Sequence, residues 1–254
     1  MSQDLTFKTS VSGHTEHDLE LRGIPLTELI SEANFVSTLF LSLTGRKPNE
    51  AEEKVLNALL VAAIDHGINP ASGFVPRVVA SSGNSVLTAM AASLLALGPY
   101  HGGAITGAMK VLQEVDAHGE DKETAAQWLV KSYRSEKKRV PGFGHPVYKK
   151  VDPRSQQLFQ LAREAGLSLD YIDLAKVIET TLEEETLKTL VINIDGAMAA
   201  LLLTMGLTPE AGNAVFGVSR VAGSIAHIIE EQQSGDWVRR VPPEDVSYSF
   251  KKKV

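Results

Sequence analysis

Apolar residues recur at three- and four-residue steps through nearly the whole chain, and that period limits the folds open to it more than any other feature. Leu29, Ile30, Ala33, Val36, Leu39, Phe40 and Leu43 keep this spacing, which lays one side of a single helix against a core. Pro25 stands where a first helical turn tolerates it, and Gly45 follows the last apolar position as a C-terminal cap would. Asn49 and Glu52 have the spacing of a capping box. They open a helix through Val55, Leu56, Leu59, Leu60 and Ala63 that ends at the Asp65-His66-Gly67 turn. Further helices are predicted at about 85–97, 103–116, 121–138, 153–166, 171–187, 194–205 and 209–233, each bounded by Gly, Pro or a short polar residue. The alternation of half-buried strands is almost absent, so the expected class is all-α.

With 254 residues, 43% of them hydrophobic, the chain can bury a substantial core as one large domain or two small ones. Zero cysteines exclude a disulfide framework, a thiolate metal site and a cysteine nucleophile. No histidine and carboxylate pair has metal-ligand spacing, so no metal site is expected. A net charge of -6 gives no global attraction to nucleic acid or an anionic membrane, and an anionic ligand would need a local cationic pocket. The most apolar windows, 86–97 and 197–205, are too short to span a bilayer and read as buried helices. No signal-peptide-like run opens the sequence, so a cytoplasmic location is expected.

The breaks in the helical pattern carry the polar chemistry. Gly98-Pro99-Tyr100-His101-Gly102-Gly103 and Pro141-Gly142-Phe143-Gly144-His145-Pro146 each set one histidine in a turn that helix cannot continue through. Loops of this kind often hold functional side chains. Asn193-Ile194-Asp195-Gly196 places a carboxylate in an otherwise apolar run, where burial would raise its pKa and make it a base. Taken singly, each feature has a plainer meaning. His101 or His145 can be a structural histidine, Asp195 an N-cap of the following helix, and Arg220 a surface cation. His14, His17 and His118 read as surface residues and His227 as a satisfied core residue; Lys137-Lys138-Arg139 and Lys251-Lys252-Lys253 read as solvated charge runs.

Together, these pieces resemble the citrate synthase superfamily from about residue 20 to residue 250. The motifs that carry the resemblance, in order, are Asp65-His66-Gly67, the His101 and His145 turns, Asp152-Pro153-Arg154, Asn193-Ile194-Asp195 and Gly217-Val218-Ser219-Arg220. Within the superfamily the chain looks most like the citryl-CoA lyase module of ATP-citrate lyase. The likeness lies in Asp65-His66-Gly67, Gly223-Ser224-Ile225-Ala226-His227 and the ending around Arg240-Val241-Pro242. One departure stands out: that module lacks a histidine at the position of His101, whereas citrate synthases carry one.

The resemblance implies an all-α, citrate synthase-like fold with a large helical domain, 1–102 and 206–254, and a smaller inserted helical domain, 103–205. It implies cleavage of citryl-CoA to acetyl-CoA and oxaloacetate through an enolate. The alternatives are condensation of citrate or 2-methylcitrate synthase type, or a non-catalytic acyl-CoA-binding or regulatory subunit. The implied catalytic residues are His101, His145 and Asp195, with His66, Arg154, Arg220 and Arg240 on the substrate carboxylates. Gly142, Phe143, Gly144, Lys149, Lys150 and Asn193 would hold coenzyme A. Coenzyme A enters as a co-substrate and no permanently bound cofactor is implied; the partners are an acyl-CoA, a di- or tricarboxylate, and further copies of the chain in a homodimer or dimer of dimers.

Overall fold

A computed structural model of the chain describes residues 7–249; the Lys251-Lys252-Lys253 run lies outside them. Among the described residues there are eleven α-helices and one small sheet. The sheet is antiparallel, β1 (Ser12–His14), β2 (Leu19–Leu21) and β3 (Ile24–Pro25), with Ser12 opposite Leu21 and Glu20 opposite Pro25. Its strands have two or three residues and no buried face, so they leave no alternation in the sequence to read.

The expected helix through Leu29 and Leu43 is two helices, α1 (Leu26–Glu32) and α2 (Phe35–Thr44). Between them Ala33 is extended, and Asn34 caps α2 in a reciprocal box with Ser37. Pro25 is the residue that precedes α1, and Gly45, at φ 80°, closes α2 in the left-handed conformation that a C-terminal cap requires. Helix α3 (Glu50–Ala63) opens on the expected box: the Glu52 amide donates to Asn49 Oδ1 at 2.9 Å, and the Asn49 amide donates to Glu52 Oε2 at 2.9 Å. A helix not expected from the sequence, α4 (Ala71–Ser81), follows; Pro76 lies inside it. Proline cannot donate to the carbonyl four residues back, so the Ser72 carbonyl is left for the Ser93 hydroxyl, which donates to it at 2.9 Å.

The remaining helices are α5 (Val86–Leu95), α6 (Ala104–Asp116), α7 (Lys122–Ser135), α8 (Pro153–Glu164), α9 (Asp170–Thr186), α10 (Ile194–Thr204) and α11 (Pro209–Ser234). No helix among the described residues is long and apolar enough to cross a membrane.

Contacts divide the chain into two compact units. The first comprises the chain up to Ala62 together with Gly102–Phe216. At its centre is α10, buried from Gly196 through Leu203 and surrounded by α6, α8 and α9, while α7 packs on α9. A helix apolar on all sides is stable only in such a position. The second unit comprises Ala63–His101 and the chain from Gly217 onward. There α4 packs on α5, and Ala80, Ala89 and Ile228 form a buried cluster with Val79, Val86 and Met90 around it.

Candidate active site

In the first unit the His145 turn and the segment before α10 are joined strand to strand. Phe143 and Ile192 form an antiparallel bridge; the Gly144 amide donates to the Val191 carbonyl at 2.7 Å and the Asn193 amide to the Gly142 carbonyl at 3.1 Å. The Asn193 side chain completes the join. Its Oδ1 accepts from the Asp195 and Gly196 amides at 3.0 and 3.1 Å, and its Nδ2 donates to the Gly144 carbonyl at 2.9 Å. Asn193, and not Asp195, is therefore the N-cap of α10, and Asp195 stands in the first turn, where the helix dipole favours a carboxylate. Glycine is required at both sides of this join. A Cβ on Gly142, at φ +87°, would come within 2.8 Å of Gly196 Cα, and one on Gly196 within 2.4 Å of the Gly142 carbonyl oxygen.

His145 is half-buried, with its ring stacked on Tyr148 at 4.5 Å between centroids. Its Nδ1 accepts from the Val147 and Tyr148 amides at 3.1 and 3.0 Å, so in the neutral ring those partners assign the proton to Nε2. Asp152 caps α8 and binds Arg154 through both carboxylate oxygens, at 3.0 Å to Nε and 2.7 Å to Nη2. Burial works to raise the Asp152 pKa, but the Arg154 guanidinium outweighs it and holds the carboxyl below its usual range. Arg154 is correspondingly raised, chiefly by Asp152, with Asp195 among the nearby charges that contribute. Beside these groups lies a cavity of about 540 Å³ lined by Phe143, Gly144 and His145 and by the cations Arg134, Lys138, Arg139 and Lys188. Lys149 and Lys150 are exposed outside its lining; the Lys149 ammonium donates to the His145 carbonyl at 3.0 Å.

In the second unit, Arg220 is buried rather than a surface cation. It donates through Nε to the Ala63 carbonyl at 3.1 Å and through Nη1 to Ser72 Oγ at 2.9 Å. Ser72 Oγ lies 2.8 Å from His101 Nε2. The Ser72 amide also donates to His101 Nε2, at 3.4 Å, which makes Nε2 an acceptor; the serine hydroxyl then accepts from Arg220 and turns its own proton to Nε2, and the His101 proton is assigned to Nδ1. Burial first, and then the positive charges of Arg220 and His66, hold the His101 pKa below its ordinary value. The result is a neutral imidazole with a defined donor atom.

His66 is exposed in a loop that two glycines let sink against the helices: a Cβ on Gly223 would lie 1.9 Å from the Ile64 carbonyl oxygen, and one on Gly73 2.3 Å from that of Gly67. His227 is half-buried and binds Asp65 at 3.0 Å, which fixes the base of this loop. Burial tends to raise the Asp65 pKa, yet the Gly67 and His66 amides and His227 leave it lowered. Of the arginine pair in the C-terminal tail, Arg239 is tied to the buried Glu231, which Arg77 also holds, while Arg240 is exposed. His118, expected at the surface, packs against Trp128 at 4.4 Å between ring centroids.

Ser72 is a residue of the candidate site that the sequence did not disclose. It becomes visible only when α4 brings it to His101, 29 residues away.

Comparison with known proteins gives matches along most of the chain. Residues 31–240 match the family model described as citrate synthase, C-terminal domain. The chain is 32% identical over 222 residues to citrate synthase of Haloferax volcanii, covering 86% of this chain and 57% of that protein. It spans about half the length of the curated relatives it matches. Among solved structures, citryl-CoA lyase from Hydrogenobacter thermophilus is 35% identical with a TM-score of 0.91, covering 98% of this chain and 96% of that one. Citrate synthase from Thermoplasma acidophilum, in a ternary complex with carboxymethyl coenzyme A and oxaloacetate, is 26% identical with a TM-score of 0.69, covering 87% of this chain and 59% of that one.

Proposed function

The chain belongs to the citrate synthase family, and on that premise we propose that it cleaves citryl-CoA to acetyl-CoA and oxaloacetate through an enolate. The observation that carries this reading is the likeness to citryl-CoA lyase along nearly the full length of both chains.

Cleavage requires a proton to leave the tertiary hydroxyl, the carbon–carbon bond to break, and a proton to reach the departing carbon. His145 takes the hydroxyl proton at Nε2, a step that requires the ring tautomer with Nε2 free and not the resting form that the Val147 and Tyr148 amides hold, and the oxygen becomes the ketone of oxaloacetate. The bond pair passes to the thioester fragment as an enolate, and His101 Nδ1–H donates to its oxygen as charge builds there. Asp195, in its acid form, delivers a proton to the enolate carbon and gives the acetyl methyl. His66, Arg154, Arg220 and, from a neighbouring protomer, Arg240 hold the carboxylates, since planar guanidinium groups match them best. Coenzyme A lies along the Gly142, Phe143 and Gly144 backbone, its phosphates served by the cations of the adjoining cavity and by Lys149 and Lys150, while Asn193 secures that backbone. The proposed smaller domain, 103–205, differs from the first contact unit, which also takes in the chain up to Ala62. The exposed Leu87 and Leu95 of α5 support self-association.

A second reading, condensation of an acyl-CoA with oxaloacetate, is favoured by two observations. His101 is present, and the neutral His145 carries its proton on Nε2, the form that donates to a ketone oxygen. Incubating the pure protein with citryl-CoA, and separately with acetyl-CoA and oxaloacetate, while following acetyl-CoA, oxaloacetate, citrate and free coenzyme A by chromatography decides between them, because cleavage exchanges one thioester for another and leaves thioester absorbance unchanged. Acetyl-CoA and oxaloacetate formed from citryl-CoA support cleavage, citrate and free coenzyme A formed from the second mixture support condensation, and no turnover of either mixture refutes both.

A further inference from the structure

The bridge between the His145 turn and the α10 segment leaves one backbone donor facing away from it. Val191 and Asn193 pair with the loop through Gly144 and Gly142, so the intervening Ile192 amide points to the opposite side. Ile192 is 5% exposed, and an unsatisfied amide there would be costly. Glu179 of α9 meets it: Oε1 accepts from the Ile192 amide at 2.6 Å. One turn along, Glu183 Oε1 accepts from the Thr189 hydroxyl at 2.9 Å, so α9 holds the 189–192 segment at two points.

We propose that Glu179 is a positioning residue: through the Ile192 amide it clamps the bridge that fixes His145, one residue beyond Gly144, relative to Asp195, two residues beyond Asn193. The proposal rests on the reading of these two as the proton-transfer groups. Three observations converge on it. The carboxylate is the acceptor for a buried backbone donor, that donor belongs to the residue paired with Phe143, and both neighbours of that residue bond to the turn carrying His145. The carboxylate stays in place although burial raises its pKa, with Lys176 as the cation that opposes the shift. A side chain needed only for solubility would turn to solvent, because Glu179 sits where ionisation is disfavoured. What the position demands is an acceptor at the reach of Glu, and the negative charge is incidental.

That distinction gives the test. Glu179→Gln keeps reach and acceptor, Glu179→Asp keeps charge but falls one methylene short, and Glu179→Ala loses both. Steady-state turnover is measured on the full chain with each, together with hydrogen exchange of the Gly144, Ile192 and Asn193 amides without substrate. Gln is expected to hold kcat within about threefold of wild type, whereas Asp and Ala lose about 10–100-fold in kcat with KM changed less than about threefold. In Asp and Ala those amides exchange at least about tenfold faster while core amides of α6 are unaffected. A purely structural role would lower the melting temperature and leave this kcat split absent. Asp or Ala with kcat within about threefold of wild type, or Gln as impaired as Ala, overturns the proposal. If Ala does not fold, the Gln and Asp pair carries the comparison. If wild type turns over neither substrate mixture, the functional reading fails, and the exchange rates alone decide whether the clamp exists.

Discussion

Replacing Ser72 by alanine probes the chain of hydrogen bonds that makes His101 a neutral donor. Ser72 is fully buried, and its hydroxyl both accepts from Arg220 Nη1 and reaches His101 Nε2, at 2.9 and 2.8 Å. Ser72→Ala removes both bonds without changing the backbone. At about 1 kcal/mol net for each bond, stability falls by about 2 kcal/mol, a loss of roughly 4–8 °C in Tm for a chain of this size. With only the longer donation from the residue-72 amide, at 3.4 Å, left to hold Nε2 as an acceptor, the neutral ring populates the other tautomer in part of the molecules, and the donor at Nδ1 is lost from those. A loss of about 1.4–2.7 kcal/mol of transition-state stabilisation corresponds to a kcat lower by about 10–100-fold. The pH dependence separates this effect from a change in charge. The causes that depress the His101 pKa are burial, Arg220 and His66, none of which the substitution removes. Because those causes persist, the His101 pKa stays below its ordinary value in wild type and variant alike, so the acid limb should not move. The assay is steady-state kinetics from pH 5 to 8, a range of about three units around the ordinary histidine value, with a thermal melt of each protein. A kcat within about threefold of wild type would refute the tautomer argument.

Asp195→Asn should leave the melt and ligand affinity nearly intact while turnover falls by about 10²–10⁴-fold, the range for a lost general acid or base; turnover within about threefold of wild type removes Asp195 from the mechanism. Asn193→Ala removes a helix cap and the bond to the Gly144 carbonyl, together about 2 kcal/mol, and a denaturant titration should show that loss along with reduced kcat. Unchanged stability would show that the join between the two segments does not depend on this side chain. Arg240→Ala should raise KM for the carboxylate substrate in a chain that still folds. Mixed with Asp195→Asn subunits it should regain part of the activity, because one hybrid site then carries neither lesion; no regain despite proven subunit exchange would place Arg240 outside a shared site.

Much of the helical framework was legible because it depends on short-range chemistry. The Asn49 and Glu52 box and the Gly45 cap are local hydrogen-bonding and backbone requirements, and the structure meets each one. The errors arose where local signals were ambiguous. Asn34 sits inside a continuous apolar period, so the capping box that splits α1 from α2 was hidden by its neighbours. Helix α4 carries Pro76 in its interior, and it forms because Ser93 satisfies the carbonyl that Pro76 cannot. At the site, the two histidine turns and the Asp195 segment stood out as polar groups where the helical pattern stops. The residues that orient them did not: Ser72 and Glu179 act across 29 and 13 positions of sequence, and nothing in their neighbours marks the contact. Asp195 was open to being read as a cap because Asn193, two residues earlier, has the same local preference and takes that role.

Running the cleavage in deuterium oxide tests enolate formation from citryl-CoA most directly. The carbon released from the broken bond must take its hydrogen from an exchangeable group, so mass spectrometry of the acetyl-CoA should show one deuterium in the methyl group, with oxaloacetate formed in equal amount. Release of citrate and free coenzyme A without acetyl-CoA would mean thioester hydrolysis, and acetyl-CoA without deuterium would mean that no solvent-exchanged acid protonates an enolate; either result contradicts the account.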